Sequence, residues 1–324
     1  MESFKTLLQK LESEIRQGVF PVGPKHLYDP ARYILSLGGK RIRPVLCLMG
    51  QQLFGAVSGD GFHAALAIEL FHNFTLIHDD IMDEAPLRRG QPSVHCKYDS
   101  SRALLAGDVM LVRAYEQLEQ INHPDAAAVQ AVFSRTAREV CEGQQLDMDM
   151  AAQPLEEVKM ADYMEMIRLK TSVLLAASLK MGGILGGGDS ATLENLYAFG
   201  QQTGMAFQIQ DDYLDAFGDP DKFGKQAGGD ILSNKKTFLL IQAYDLANAA
   251  QRTAISSLLD CTDPKTKVRE MLQLYRDCRV DQWAQEQKTA YMEAARNALD
   301  QVAVPIARKA GLTALLAQLL DREH

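Results

Sequence analysis

Residues 61–83 read GFHAALAIELFHNFTLIHDDIMD. Ala65, Ile68, Leu70, Phe71, Phe74 and Leu76 recur at the three- and four-residue intervals of an apolar helix. The stretch then ends in Asp79-Asp80-Ile81-Met82-Asp83. The same D-D-x-x-D pattern returns at Asp211-Asp212-Tyr213-Leu214-Asp215, again inside an apolar helical stretch. Carboxylates four apart lie on one helix face, one turn from each other. Such a like-charge pair costs roughly 0.2–0.5 kcal/mol when nothing compensates it. A chain that accepts this twice is expected to hold a cation there. All-oxygen ligands select a hard ion, Mg²⁺ before Zn²⁺.

Outward from these clusters the chain keeps the helical period. Further helices are expected near 101–122, 125–150, 156–181, 192–217, 236–248 and 280–302. Alternating β-branched runs are almost absent, so no strand is predicted. The turn-rich pieces, 86–92, 182–190 and 218–229, are local, and nothing has the composition of an interdomain linker. The expected fold class is all-α. It is a single large helical bundle of ten or so helices around a central cavity, one domain over residues 1–324.

Composition narrows the partners. The chain has 324 residues, and 47% of them are apolar, enough for a large core. A net charge of -8 argues against nucleic acid as the partner, and no basic stripe with interleaved aromatics appears. No apolar run approaches the roughly 18 residues of a membrane span, so no stable membrane insertion is expected. Residues 1–18 carry Glu2, Lys5, Lys10, Glu12, Glu14 and Arg16 at amphipathic spacing, unlike a signal peptide. The five cysteines form no CxxC pair. Reduced thiols in a cytoplasmic protein are the expectation.

Basic residues gather near the acids. His72 precedes Asp79 by seven positions, on nearly the same helix face, and Arg88-Arg89-Gly90 follows Pro86. The two arginines read either as charge compensation for the carboxylates or as a grip on phosphate, which a planar guanidinium binds in pairs of oxygens. Upstream lies Gly38-Gly39-Lys40-Arg41-Ile42-Arg43-Pro44, with three cations in four residues. Near the second cluster stand Gln208, Lys225 and Lys235-Lys236-Thr237, and Lys170-Thr171 falls on an apolar helix between the clusters. Each is weak alone. Together they supply acids for metal ions and bases for at least two polyanions.

At this point the chain resembles the trans-isoprenyl diphosphate synthases, the polyprenyl synthetase family. The resemblance runs from about 38 to 240. It rests on six ordered elements: GGKRIRP, HDDIMDEAPLRRGQPSVH, LKT, GMAFQIQDDYLDAFGD, the Gly224-Lys225 pair and NKKT. It implies the isoprenoid synthase fold, a homodimer, and Mg²⁺-assisted condensation of isopentenyl diphosphate with an allylic diphosphate (dimethylallyl, geranyl or farnesyl).

Position by position, the resemblance implies that Asp79, Asp83 and Asp211 bind three Mg²⁺ ions, supported by Asp80, Asp212 and Asp215. It implies that Arg88, Lys170, Lys225 and Lys235 grip the allylic diphosphate, and that Lys40, Arg43, His72 and Arg89 form the isopentenyl diphosphate site. Thr171 and Gln208 would face the developing allylic cation. Some farnesyl synthases end in a basic tail that helps close the site. This chain ends Asp321-Arg322-Glu323-His324, which departs from that pattern.

Product length is set in this family by residues four and five before the first aspartate, here Thr75 and Phe74. The first cluster has two residues between its aspartate groups, the short form, and one aromatic with one small residue resembles the geranylgeranyl synthases of that form more than the farnesyl ones, which carry bulky aromatics at both positions. Phe71, a turn deeper, would add a second barrier. The implied product is geranylgeranyl diphosphate, with farnesyl diphosphate as the alternative.

Three rivals fit less well. A class I terpene cyclase would carry Asn, Ser/Thr and Glu in its second motif, not aspartates. A non-catalytic prenyltransferase subunit would lack one cluster. A di-iron bundle needs two E-x-x-H motifs on separate helices, and only Glu69–His72 spells one.

Overall fold

The computed structural model describes residues 1–218 and 228–320. The chain is 78% helical, so the all-α expectation holds. Among the described residues the sheet content is one two-stranded hairpin, β1 (Leu87–Arg88) against β2 (Gln91–Pro92). No strand was expected there, because two residues are too few to show alternation. The turn chemistry explains it. Arg89 and Gly90, the two loop residues, have φ of 55° and 72°, the left-handed pair that closes a tight hairpin.

Contacts divide the chain into two compact units. One comprises Met1–Ala137, Leu174–Tyr197 and Gln301–Leu312. The other comprises Arg138–Val173, Ala198–Asp300 and the segment from Thr313.

The first unit holds α1 (Phe4–Gly18), α2 (Lys25–Ser36), α3 (Ile42–Gln52), α4 (Gly59–Met82), the hairpin, α5 (Val94–Lys97) and α6 (Ser100–Glu119). Its centre is α4. The Ser58 hydroxyl caps the helix by accepting from the Gly61 N–H, and Asp60 sits favourably at its positive end. Residues 64–71 are all buried, so both the apolar stripe and Glu69 on α4 are enclosed. Against α4 pack α3 and α6, and α6 buries Ala103, Ala106, Gly107, Met110 and Ala114. The end of α4 places the first acid cluster. Asp83 keeps helical φ and ψ of -85° and -1° and donates its N–H to the Asp79 carbonyl at 2.8 Å. Glu84 then turns left-handed (φ 49°) and stops the helix. Asp79 and Asp83 therefore keep their one-turn spacing.

The second unit contains the later part of α7 (Ala126–Ala152), then α8 (Met160–Ile167), and α10 (Ser190–Phe217) from residue 198 onward. It also contains α11 (Gly229–Leu232), α12 (Phe238–Leu246), α13 (Ala249–Leu259), α14 (Pro264–Asp277) and α15 (Val280–Asp300). Its core joins Tyr163, Met166, Met205, Ile209, Phe238 and Tyr275. The single helix expected over 156–181 is divided. A 3₁₀ turn at Leu155–Glu157 and α8 come first, then a π-helical segment, Arg168–Ser172, and then α9 (Val173–Leu185). Neighbours press on the π segment from two sides. A Cβ on Gly143 of α7 would lie 2.3 Å from the Lys170 nitrogen, and one on Gly204 of α10 would lie 2.7 Å from the Ser172 Cα. The glycines permit this close approach.

Candidate active site

In the first unit, Asp79 keeps a partly exposed side chain and Asp83 is exposed, whereas Asp80 points inward at 1% exposure. Arg88, held on β1, closes on Asp80. Its Nε lies 3.0 and 3.1 Å from the two carboxylate oxygens, and its Nη2 also bonds Oδ1. Arg88 Nη2 stands 3.6 Å from Asp79 Oδ2 as well. Here charge compensation is what Arg88 does, with the inner carboxylate as its main partner. Burial pushes the Asp80 carboxyl above its usual range, and the Arg88 bonds work against that rise.

The basic loop after α2 reaches the same unit's α4. Arg43 Nη1 meets His72 Nε2 at 3.2 Å. Burial, aided by repulsion from Arg89 and opposed by Glu69, lowers the Arg43 guanidinium to about 10. Burial and the charges of Arg43, Arg89, Arg88 and Arg41 drive the His72 imidazole well below its usual value. His72 is thus neutral, and its Nε2 accepts from Arg43. Arg89 donates Nη1 to the Gly38 carbonyl. A Cβ on Gly39 would lie 2.8 Å from that guanidinium, so the approach needs glycine. Lys40 is exposed on the loop. The structure therefore gathers Arg43, His72, Arg89 and the Lys40 loop.

The residues expected to set product length also lie in this unit. Phe71 is 1% exposed and Phe74 8%. Their rings stand 5.6 Å apart, and Phe74 meets His78 edge-on at 4.7 Å. Phe133 of α7 packs edge-on against Phe71 at 5.5 Å, and Tyr115 of α6 against Phe133 at 5.3 Å. Thr75 donates its hydroxyl to the His72 carbonyl at 2.8 Å. That bond satisfies the hydroxyl within its own helix.

In the second unit, Asp211 is exposed at the surface of α10, while Asp212 is 3% exposed. Asp212 accepts from the Tyr163 hydroxyl and, at 2.8 Å, from Gln208 Nε2. Burial pushes its carboxyl up to about 7, a rise that Lys235 opposes and Asp230 adds to. Gln208 Oε1 accepts from Thr171 Oγ1 at 3.2 Å, so Thr171, Gln208, Asp212 and Tyr163 form one chain of hydrogen bonds. Lys170, also on the π segment, pairs with Asp147 of α7 at 2.7 Å. Asp215 accepts the Asp230 N–H at 2.8 Å and so ties α10 to α11. Lys235 lies 3.9 Å from Asp230. Lys236 instead donates to the carbonyls of Met150, Ala151 and Gln153, capping the end of α7. Lys225 lies outside the described residues, as do Gly224 and the C-terminal Asp321–His324.

Three contributors escaped sequence reasoning. Asp147, Tyr163 and Arg41 each act on a residue that the motifs did expose.

Among the described residues no group of three or more His, Cys, Asp or Glu side chains forms a ready-made cage. Mg²⁺ commonly takes one or two carboxylates and fills its octahedron with water and phosphate oxygens. Asp79, Asp83 and Asp211 offer carboxylate donors on helix surfaces. Among the described residues, no helix is long and apolar enough to cross a membrane.

Comparison with known proteins agrees with this chemistry. The polyprenyl synthetase family model matches residues 24–277. A short chain isoprenyl diphosphate synthase of Methanothermobacter thermautotrophicus is 35% identical, over 100% of this chain and 99% of its own. A geranylgeranyl pyrophosphate synthase of Geoglobus acetivorans is 37% identical over 93% and 92%. The solved geranylgeranyl pyrophosphate synthetase of Pyrococcus horikoshii superposes with a TM-score of 0.92, at 32% identity and 98% coverage of both chains. Its all-α isoprenoid synthase fold is the fold of this chain. With acids, bases and π segment accounted for, the chain belongs to the polyprenyl synthetase family and is a short-chain trans-prenyltransferase.

Proposed function

We propose that this prenyltransferase adds isopentenyl diphosphate to dimethylallyl, geranyl and farnesyl diphosphates in turn, releasing mainly geranylgeranyl diphosphate. The observation that carries the product assignment is the buried, tilted ring pair of Phe74 and Phe71 on α4, on the N-terminal side of an acid cluster whose neighbour Thr75 is small. The family acts on isoprenyl diphosphates and uses Mg²⁺ for their ionisation. In this reading Asp79, Asp83 and Asp211 bind the metal, as three ions. Bound there, Mg²⁺ supplies Lewis-acid stabilisation to the departing diphosphate.

The chain's own residues do the rest. Lys170, Lys235, Lys225 and Arg88 neutralise the allylic diphosphate, so its departure leaves an allylic cation at lower cost. For Arg88 this requires sharing its guanidinium with Asp80. Thr171 and Gln208, linked at 3.2 Å, direct oxygen dipoles toward that cation. Lys40, Arg43, His72 and Arg89 hold isopentenyl diphosphate, whose double bond attacks the cation, and the proton then lost from the condensed carbon skeleton passes to the departed diphosphate. Apolar packing around Phe71 and Phe74 keeps water from quenching the cation. No protein nucleophile is needed.

The same reading takes residues 1–324 as one catalytic domain, acting as a cytoplasmic homodimer. The dimer is supported by Leu104, Leu105 and Val112, which α6 leaves 49%, 56% and 54% exposed. Light scattering tests it. The cytoplasmic assignment is supported by five unbridged thiols, Cys47, Cys96, Cys141, Cys261 and Cys278.

Product length is tested by incubation with isopentenyl diphosphate, each allylic primer in turn and Mg²⁺, followed by chromatography of the dephosphorylated products. The wild type should stop at twenty carbons. Phe74→Ala should lengthen the product by one or more isoprene units, and Thr75→Phe should shorten it toward farnesyl. An unchanged distribution in Phe74→Ala removes Phe74 from the role. Farnesyl diphosphate as the main wild-type product would favour the alternative reading.

A further inference from the structure

Arg41 lies between Lys40 and Arg43 in sequence but belongs to neither the loop surface nor the diphosphate-facing set. Its side chain is 1% exposed. Its backbone is left-handed, with φ 47° and ψ 34°, at the residue that opens α3. Every arm of the guanidinium is committed. Nε donates to Glu12 Oε1 on α1 at 2.9 Å, Nη1 to Glu69 Oε1 on α4, and Nη2 to the Leu35 carbonyl that ends α2 at 2.6 Å. One side chain therefore fixes three helices at the root of the basic loop. Glu69 is itself secured, since Asn73 Nδ2 donates to its Oε1 at 2.7 Å and to its carbonyl at 2.8 Å. Glu69 Oε2 and Arg43 Nε are buried without a hydrogen-bond partner. Around that carboxylate Arg41, Arg43 and Arg89 all feel its charge.

The exposed Arg89 guanidinium repels both Arg43 and the buried Arg41. A left-handed non-glycine residue is strained and persists only when its surroundings over-determine it. Both costs are met at Arg41 by the same ion pair. A solvated loop would need neither.

We infer that Arg41, seated by Glu69 and Glu12, is a positioning residue that fixes the directions of Lys40 and Arg43, and so preorganises the basic site for isopentenyl diphosphate. The inference rests on the assignment of that diphosphate to Lys40, Arg43 and His72. Arg41 touches no substrate. Its contribution is to hold the cations assembled before the substrate arrives, so that binding need not order the loop.

The test uses the full chain and graded variants, because breaking a buried ion pair threatens folding. Glu69→Gln removes the charge, Arg41→Lys keeps the charge but loses the fork, and Glu12→Gln weakens the half-exposed arm. Turnover is measured with each substrate varied in turn. Binding of isopentenyl diphosphate alone is followed by calorimetry, and Tm is recorded. Glu69→Gln and Arg41→Lys should raise the isopentenyl KM and Kd about tenfold or more, the size of one lost charge-assisted contact. The allylic KM and saturated kcat should move little, and Glu12→Gln should act in the same direction more weakly.

A fall in Tm with the isopentenyl KM unchanged overturns the inference, because Arg41 would then be structural only. An equal rise in both KM values also overturns it. Arg43→Ala separates the two layers. If it raises the isopentenyl KM while the Arg41 and Glu69 variants do not, only the positioning idea fails. If it too leaves that KM unchanged, the site assignment fails and the inference falls with it.

Discussion

Asp80 and Asp212 occupy the same place in the two D-D-x-x-D clusters, and both are buried, yet one is held by a cation and the other by neutral donors. Asp80 faces the Arg88 guanidinium. Asp212 faces the Tyr163 hydroxyl and the Gln208 amide, and its carboxyl rises to about 7. The repeated letters therefore conceal two electrostatic designs. In both, the middle aspartate is an internal anchor, while Asp79, Asp83 and Asp211 reach the helix surface and Asp215 accepts from Asp230 on α11. The first anchor is charge-paired and its surroundings are rich in arginine. The second is proton-hungry and relies on hydrogen bonds to groups without charge. The motif fixes the outer acids by spacing alone, while the inner partner is a choice made elsewhere in the chain.

The outer acids should show the largest effects and the least difference between clusters. Asp79→Ala and Asp211→Ala should each lower kcat by about 10²–10³-fold or more, the scale for removing a group that stabilises transition-state charge. The fold should survive in both, because each residue lies at a helix surface. EDTA should abolish turnover and Mg²⁺ restore it. Near-normal kcat in either variant would mean that its cluster does not serve the reaction.

The inner partners should separate the clusters. Arg88→Ala leaves a buried charge without its cation and should cost about 1.5–3 kcal/mol in urea unfolding at neutral pH. Tyr163→Phe removes one neutral donor and should cost about 1 kcal/mol. Costs in the reverse order would break the distinction drawn above.

A pH-dependent effect concerns the positive surroundings of the first cluster. His72 has a depressed value in the folded chain and about 6.5 when exposed. The unfolded chain therefore binds the proton more readily. The stability contributed by His72 is complete above about pH 6.5 and is lost as pH falls toward the folded value, at about 1.4 kcal/mol for each unit of depression. His72→Gln should flatten the acid-side decline in a series of unfolding curves between pH 7 and pH 5. An undiminished decline would place the titrating group elsewhere.

Much of this was legible beforehand, for identifiable reasons. Helix α4 announces itself because its apolar residues follow the helical period to its acidic end, and its stop lies within a few residues of Pro86. The clusters, Lys170-Thr171, Gln208 and the GGKRIRP loop stand out because charge interrupts apolar sequence. Arg41 was not legible, since a run of three cations in four residues resembles a solvated loop and nothing local says which one turns inward. Tyr163 and Asp147 were hidden for a related reason. Each acts on a residue 49 or 23 positions away, and periodicity reports only neighbours on the same helix. The hairpin was missed because two residues carry no alternation.

The π segment has one more consequence. A π turn amounts to one extra residue inside a helix, and one residue is about 100° of rotation. It is thus a phase shift written into a continuous rod. Helix α8 can present Tyr163, Met166 and Ile167 inward without its register dictating the directions of Lys170 and Thr171. The shift itself falls on Lys170 and Thr171, which point to Asp147 and Gln208 on different helices. Two adjacent residues on an ordinary helix diverge by a fixed angle, and here the bulge frees that angle. Shortening the segment by a residue would leave composition and motif almost intact while turning Lys170 and Thr171 away from Asp147 and Gln208.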